Sequence, residues 1–302
     1  GNFRQMKRRI LNIAIFRKET LYQKMRALII YLVISAVFIG CTPILSIGAS
    51  TQDVYHFHDT DKNISLLDVS AIFGSYDGSF VLYDNHLDSW KIYNLEEANK
   101  RIPPDSTYKI YDALLGLESG IITPEHSSMA WNGEHFSYSA WENDQDLNSA
   151  MQNSVNWYFQ TMDSQLGLNK IQEFLNEIEY GNQTTSSNLK LYWSDFSLKI
   201  SPIEQVELLK KFNTNGFHLH SQNVLSVKNA IKIVGTSDGT FYGKTGTGCI
   251  DGQDINGWFI GYIETSDNIY YFATNIQSDS NATGKKALEI TSAILKKLHI
   301  WN

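Results

Sequence analysis

The chain has 302 residues, of which 42% are hydrophobic and 13% aromatic, and its formal net charge is −7. This composition is ample for a folded core and excludes a disordered chain. Basic residues crowd the first 26 positions, whereas Arg101 is the only arginine beyond them. The rest of the chain is acidic, so no nucleic-acid partner is expected.

The first 49 residues combine a basic segment with an apolar run. Residues 1–26 are rich in Arg and Lys, and residues 27–49 carry no charge. Roughly 20 apolar residues suffice to span a bilayer. The one-sided basic flank predicts a cytoplasmic segment at 1–26, a transmembrane helix at 27–49 and an extracellular domain at 51–302. A secretory signal peptide, or a lipoprotein cleavage site before Cys41, is the alternative.

Beyond residue 51, strand-like and helical patterns alternate. Two β-prone runs at 79–83 and 90–93 predict a hairpin. A helical pattern begins near Ser106, after Pro104, and ends at Gly120.

A polar, aromatic loop at 131–146 leads into two further helical stretches. Residues 147–175 predict a helix interrupted near Gly167. Residues 203–212 predict another helix, for which Ser201 is the expected N-cap.

The last third of the chain predicts three strands and a closing helix. The strands cover 241–246, 257–263 and 269–274, and their short connections make them antiparallel. An amphipathic helix follows at 284–298. Strands at both ends with helices between them predict an α+β fold, with one sheet assembled from both ends of the chain.

Ser106 and Lys109 form the first candidate catalytic pair. Their spacing near a helix N-terminus places both side chains on one face. A serine nucleophile needs an adjacent base. A lysine can be that base only when its ammonium is deprotonated by burial or chemically converted. Taken alone, the pattern also fits a helix cap beside a surface lysine.

Two later stretches add candidate groups. Ser154, followed by Asn156 in a predicted helical segment, supplies a second hydroxyl that can relay a proton. Lys244 and Thr245 lie beside Gly246 on a predicted strand edge, and this combination suits a carboxylate.

The ordered set Ser-x-x-Lys, Ser-x-Asn and Lys-Thr-Gly is similar to the signature of penicillin-recognising serine acyltransferases. Residues 180–182 and Trp193 resemble the class D β-lactamases, and this likeness runs from about Ser70 to the C-terminus. It implies a class D β-lactamase or penicillin-binding type of domain, preceded here by one transmembrane helix.

Within that group, residues 104–113 and 148–158 resemble the sensor domains of β-lactam receptors of the BlaR/MecR type. Class D hydrolases usually carry an aliphatic residue where this chain has Asn156. The basic segment before an apolar helix also resembles these receptors, whose cytoplasmic zinc protease lies upstream. No His-Glu-x-x-His occurs here, so the resemblance implies the C-terminal part of such a receptor.

The resemblance also implies a role for each candidate residue. Ser106 would attack the β-lactam carbonyl, and Lys109 would be the base, N-carboxylated by carbon dioxide and hydrogen-bonded by Trp193. Ser154 would pass the proton to the ring nitrogen, and the backbone N–H groups of Ser106 and Thr247 would form an oxyanion hole. No metal or other cofactor is expected. The expected substrate-binding residues are Lys244, Thr245, Gly246 and Thr247.

The expected function is therefore a membrane-bound β-lactam sensor. Ser106 would be acylated with slow or no turnover, and the adduct would signal across the membrane to induce resistance genes. The expected partners are β-lactams, the membrane and the upstream zinc-protease part. A class D hydrolase and a D,D-transpeptidase are the alternatives. Many class D enzymes bind the substrate carboxylate with a late arginine, and its absence after Arg101 weakens the hydrolase alternative.

Overall fold

The computed structural model describes residues 53–57 and 62–301. The predicted basic segment at 1–26, the predicted span at 27–49 and residues 51, 52 and 302 lie outside the described residues. Within the part that is described, no helix is long and apolar enough to cross a membrane.

The described residues contain a seven-stranded sheet in the order β1-β3-β2-β7-β6-β5-β4. Neighbouring strands are antiparallel except β1 and β3, which are parallel. The two ends of the chain meet where β2 pairs with β7, which confirms the predicted α+β fold. The strands are β1 (Asn63–Leu66), β2 (Asp77–Asp84), β3 (Ser89–Tyr93), β4 (Lys232–Thr236), β5 (Gly239–Ile250), β6 (Gln253–Glu264) and β7 (Ile269–Gln277).

Helices cover both faces of the sheet. A 3-10 turn at Asp105–Tyr108 leads directly into α3, and a second one lies at Ser139–Trp141. The α-helices are α1 (Ser70–Phe73), α2 (Leu95–Asn99), α3 (Lys109–Glu118), α4 (Leu147–Gln152), α5 (Asn156–Leu166), α6 (Leu168–Glu177), α7 (Pro202–Asn213), α8 (Ser221–Ala230) and α9 (Gly284–Lys297).

The side chains of β6 alternate between two buried layers, as a strand covered on both faces requires. Trp258 and Ile260 belong to the larger layer, which also contains α3, α5 and α7. Phe259 belongs to the smaller layer beneath α9. The first nine residues of α3, from Lys109 to Leu117, are buried, so this helix is the centre of the larger layer.

The predicted helix at 147–175 is in fact three helices. The break at Gly167 was predicted, and this residue has a φ of 76°. A second break, at residues 153–155, was not predicted. There the N–H of Val155 bonds back to the carbonyl of Ala150, and Ser154 has a φ of 54°. The prediction that Ser154 lies within a helical segment is therefore wrong, because it lies in the turn between α4 and α5.

The predicted N-cap of α7 is confirmed. The hydroxyl of Ser201 accepts a hydrogen bond from the N–H of Glu204, and the Glu204 carboxylate accepts one from the N–H of Ser201. This reciprocal pair satisfies two N–H groups that the helix itself leaves without partners. Glu204 also binds the Arg101 guanidinium, which ties the start of α7 to the chain just before the 3-10 turn.

Candidate active site

Ser106 lies in the 3-10 turn and is half-buried, whereas Lys109 opens α3 and is fully buried. The residue before the serine, Asp105, has a φ of 48°. Its N–H donates to the carbonyl of Trp193 at 2.9 Å. This strained residue directs the chain so that the serine faces a cleft while the lysine enters the core.

The Lys109 amine has four polar neighbours. Its Nζ lies 2.9 Å from Ser106 Oγ, 2.8 Å from the carbonyl oxygen of Ser154 and 2.6 Å from Asn156 Oδ1. Ser154 Oγ is 3.1 Å away. A neutral amine has two N–H groups, which can donate to the two carbonyl-type oxygens. Its lone pair is then free to accept the proton of the Ser106 hydroxyl.

Burial holds the pKa of Lys109 well below its usual value, and the charge of Lys244 lowers this pKa further. The neutral form that general-base catalysis requires is therefore favoured. Asp112 and Asp105 act in the opposite direction and raise the pKa of Lys109.

Lys244 lies on β5, on the other side of Ser154. Its Nζ is 3.0 Å from Ser154 Oγ and 3.0 Å from the Thr245 carbonyl oxygen. The Ser154 hydroxyl thus lies between two lysine amines, where it can pass a proton. Burial lowers the pKa of Lys244 to about 7, so its charge changes in the physiological range.

The half-buried serine opens onto a cleft of about 480 Å³. The buried amines of Lys109 and Lys244 lie behind its wall. The structure therefore brings the predicted catalytic serines together with the predicted carboxylate-binding strand. The predicted residues that line the cleft are Ser106, Ser154, Asn156, Thr245, Gly246 and Thr247.

β5 passes close to the Ser106 turn because two of its positions lack a side chain. A Cβ at Gly246 would lie 3.1 Å from the carbonyl oxygen of Pro104, and one at Gly248 would lie 2.7 Å from Asp105 Oδ2. Thr247 is also fixed in place, since its Oγ1 accepts the N–H of Gly284 at 2.9 Å. The glycines are thus required for the strand to approach the nucleophile.

Sequence reasoning missed the group that holds the turn. Asn256 Nδ2 donates to Asp105 Oδ2 at 2.7 Å and to the Pro103 carbonyl at 3.1 Å. Trp258 Nε1 donates to the same carbonyl at 2.8 Å. Asn256 is about 150 residues from the turn in sequence, and no local pattern marks it. The missed residues of the cleft wall are Tyr138, Ala140, Trp141, Gln152, Asn153, Cys249 and Asp254.

Trp193 is not a cleft-lining residue. It contacts the site through its carbonyl, which accepts from Asp105, and its ring stacks on that of Tyr108 with centroids 6.4 Å apart. Its predicted hydrogen bond to a carboxylated Lys109 stays a prediction.

A larger cleft of about 710 Å³ lies beside α7, away from the candidate nucleophile. Several of its charged groups already have partners: Lys62 binds Glu207, and Lys210 donates to the Tyr83 hydroxyl. Its described lining residues include no serine, so the smaller cleft is the candidate active site.

Comparison with known proteins agrees with this geometry. The family described as the penicillin binding protein transpeptidase domain matches residues 75–296. The regulatory protein BlaR1 of Bacillus licheniformis is 41% identical, covering 100% of this chain and 50% of that protein. The methicillin resistance mecR1 protein of Staphylococcus aureus is 36% identical, covering 98% of this chain and 50% of that protein. The chain thus spans about half the length of these relatives.

Solved structures give the same grouping. The C-terminal domain of the Bacillus licheniformis BlaR penicillin-receptor superposes with a TM-score of 0.78 at 44% identity, covering 80% of this chain and 99% of that one. The class D β-lactamase BAT-2 superposes with a TM-score of 0.73 at 35% identity, covering 78% and 97%. The chain therefore belongs to the penicillin binding protein transpeptidase domain family, and its homologues there include the BlaR/MecR regulatory proteins and the class D β-lactamases.

Proposed function

We propose that this chain is the sensor part of a membrane-bound β-lactam receptor, acylated by the drug at Ser106. The observation that carries the proposal is the Lys109 amine, buried and 2.9 Å from Ser106 Oγ, with its two N–H groups directed at carbonyl-type acceptors. The likeness to the BlaR penicillin-receptor domain supports the same substrate class.

Acylation needs only groups that line the cleft or lie directly behind its wall. Ser106 Oγ attacks the β-lactam carbonyl carbon, and its proton passes to Lys109, either to the lone pair of the free amine or, when the lysine is carboxylated, to a carbamate oxygen. The new Oγ–C bond forms as the ring C–N bond breaks. The ring nitrogen receives a proton through the Ser154 hydroxyl, which lies within 3.1 Å of both lysine amines. The backbone N–H groups of Ser106 and Thr247 are the proposed donors to the carbonyl oxygen.

The carboxylate of the drug is assigned to β5. Protonated Lys244 supplies the charge, and Thr245 and Thr247 supply hydroxyl donors at the cleft wall. Gly246 leaves the backbone accessible between them. No arginine occurs on the later strands, so this segment carries the whole interaction with the carboxylate.

The adduct is proposed to persist because Lys109 does not activate water after the serine has reacted. Asn156 Oδ1 accepts from the amine at 2.6 Å and therefore stabilises the free amine or ammonium. N-carboxylation of Lys109 by carbon dioxide is proposed before the drug arrives, and the carbon dioxide is proposed to leave once Ser106 is acylated. The carbamate oxygens would need donors, which the hydroxyl of Ser154 and the expected Trp193 N–H would supply, so the residues fit the group.

The membrane and the upstream protease complete the proposal. The apolar run at 27–49 would anchor the chain once, with its C-terminal domain outside the cell. An upstream zinc-protease part of the same receptor would receive the signal, which induces resistance genes. A second candidate function is a class D β-lactamase, which the likeness to BAT-2 favours. The two functions differ in the lifetime of the acyl adduct.

The test is intact-mass measurement of the full chain after penicillin treatment. One added drug mass is expected, and it should be absent in Ser106→Ala. Ser292→Ala, which removes an exposed hydroxyl on α9, is the matched control and should be labelled fully. Labelling that survives in Ser106→Ala would refute the assignment. An adduct that persists for hours indicates a sensor, and one lost within seconds indicates a hydrolase.

A further inference from the structure

Two carboxyl groups lie in the core beneath the candidate base. Asp112 is on α3, three residues after Lys109, and Asp163 is on the facing helix α5. Both side chains are fully buried. Ionised carboxylates are very costly in a dry core unless they are paired, so these two groups require an explanation.

The two helices come unusually close at this point. A Cβ at Gly116, one turn after Asp112, would lie 2.7 Å from Sδ of Met162, the neighbour of Asp163. The absence of a side chain at Gly116 brings the backbones together and lets the carboxyl groups meet within hydrogen-bonding reach.

The carboxyl pair has a single donor in the described contacts. Among the described residues, the Tyr192 hydroxyl reaches Asp163 Oδ1 at 3.3 Å. Both oxygens of Asp112 and the second oxygen of Asp163 have no hydrogen-bond partner in the described contacts. Two facing carboxylates repel each other, but a single proton between them makes an O–H···O bond that gives one oxygen of each group a partner.

The shared proton belongs mainly to Asp163. Burial raises the pKa of both groups, and the charge of Asp112 raises the pKa of Asp163 further. Lys109 acts on the other member and lowers the pKa of Asp112. The negative charge therefore rests on Asp112, the carboxylate nearer in sequence to the base.

We infer that Asp112 and Asp163 share one proton, and that the single negative charge left on Asp112 controls the protonation of Lys109. The inference rests on the proposed function and concerns the same site. Asp112 is a positioning residue, since it acts through Lys109 and does not line the cleft. Its charge favours the ammonium, which cannot activate water, so it helps the acyl adduct to persist.

Other titratable groups face the pair and the base. The neighbouring tyrosine hydroxyls stay neutral, because burial raises the pKa of each. Asp105 is a buried carboxyl whose pKa burial also raises. Burial lowers the pKa of Lys244 to about 7, so this group changes charge near neutrality. The facing groups are Tyr108, Tyr158 and Tyr192 around the pair, and Asp105 and Lys244 around Lys109.

The test is the pH dependence of the acylation rate constant in two isosteric variants of the full chain. Asp112→Asn removes the charge beside Lys109, so the rising limb of the profile should move to lower pH by about one unit. In Asp163→Asn the new amide can donate to Asp112 in place of the shared proton. The negative charge then stays on Asp112, and the rising limb of the pH profile should shift much less than in Asp112→Asn. Asp112→Asn should also shorten the adduct lifetime severalfold at neutral pH.

Each variant is the matched control for the other, because both make the same change in the same pocket. Equal shifts, or none, would overturn the inference, since a merely structural role gives no such asymmetry. In the double variant the rising limb should move at least as far as in Asp112→Asn. If the double variant does not fold, the two single variants are sufficient for the test. If the wild-type chain is not acylated at all, the proposed function fails and the inference fails with it. If the wild-type chain is acylated but the pH profiles of the two variants coincide, only the inference fails and the proposed function stands.

Discussion

The buried surroundings of the Lys109 amine determine whether it can act as a base. Its amine meets the Ser154 carbonyl, Asn156 Oδ1 and the Ser106 hydroxyl within 2.9 Å. A charged ammonium could use all three as acceptors, but desolvation favours the neutral amine. The balance between the two forms therefore depends on a few neighbouring groups, and substitutions there should change rates rather than the fold.

Replacing Asn156 tests the first of these neighbours. Asn156→Val removes the amide oxygen that accepts from the amine at 2.6 Å. A drier, apolar pocket should stabilise a Lys109 carbamate and raise the deacylation rate. Adduct lifetime measures the rate, and carbon-13 NMR of bicarbonate-loaded protein follows the carbamate.

Asn176→Val is the control for this substitution, because it changes an exposed asparagine on α6 whose side chain bonds only to Gln172 among its described contacts. It should alter neither measurement. If Asn156→Val leaves both the lifetime and the carbamate signal unchanged, Asn156 merely satisfies local hydrogen bonds.

The charge of Lys244 predicts a pH effect. Burial lowers its pKa to about 7, so the ammonium is present below that pH and is lost as the pH rises through it. The second-order acylation rate constant should therefore fall above about pH 7. A β-lactam methyl ester lacks the carboxylate and should not show this fall. A parallel decline for acid and ester would exclude Lys244 as the carboxylate-binding charge.

At the scale of elements, the start of α7 depends on one hydroxyl. Ser201 is buried and caps the N–H of Glu204, whose carboxylate also binds Arg101. Ser201→Ala should lower the free energy of unfolding by about 1 kcal/mol. Urea denaturation of the two proteins measures the difference. Ser226→Ala on the exposed face of α8 should change the free energy by less than about 0.5 kcal/mol. Equal changes in the free energy of unfolding for the two substitutions would show that the cap does not stabilise the protein more than an ordinary surface serine does.

For the whole molecule, the one-sided basic flank predicts that the chain from Thr51 onward lies outside the cell. Protease added to intact protoplasts should degrade this part of the chain, while a cytoplasmic marker stays intact. Complete protection of the domain in intact protoplasts, with digestion after lysis, would contradict the proposed orientation.

Short-range chemistry was predictable from sequence because its causes lie within a few residues. The spacing of Ser106 and Lys109 places them on one turn, and the residues that follow Ser201 mark it as a helix N-cap. The turn at Ser154 was not predicted. A helical pattern continues across it, but the bond from Val155 N–H to Ala150 closes α4 early.

The strands at the sheet edges, β1 and β4, were missed for a related reason. They are short, and β4 is exposed throughout, so no alternation marks either of them. Their strand geometry comes from pairing with β3 and β5. Pairing partners lie far along the chain and leave no trace in a local pattern.

The sequence by itself determined the three motifs, their order and the α+β class, since these follow from residue type, spacing and periodicity. Only the tertiary structure decided that Asn256 supports Asp105, and that Asp112 meets Asp163 across two helices. Such contacts join residues about 50 to 150 positions apart. They depend on packing, since the sheet joins both ends of the chain and α3 packs against α5 and α8. Burial then changes the acidity of groups that sequence alone treats as ordinary.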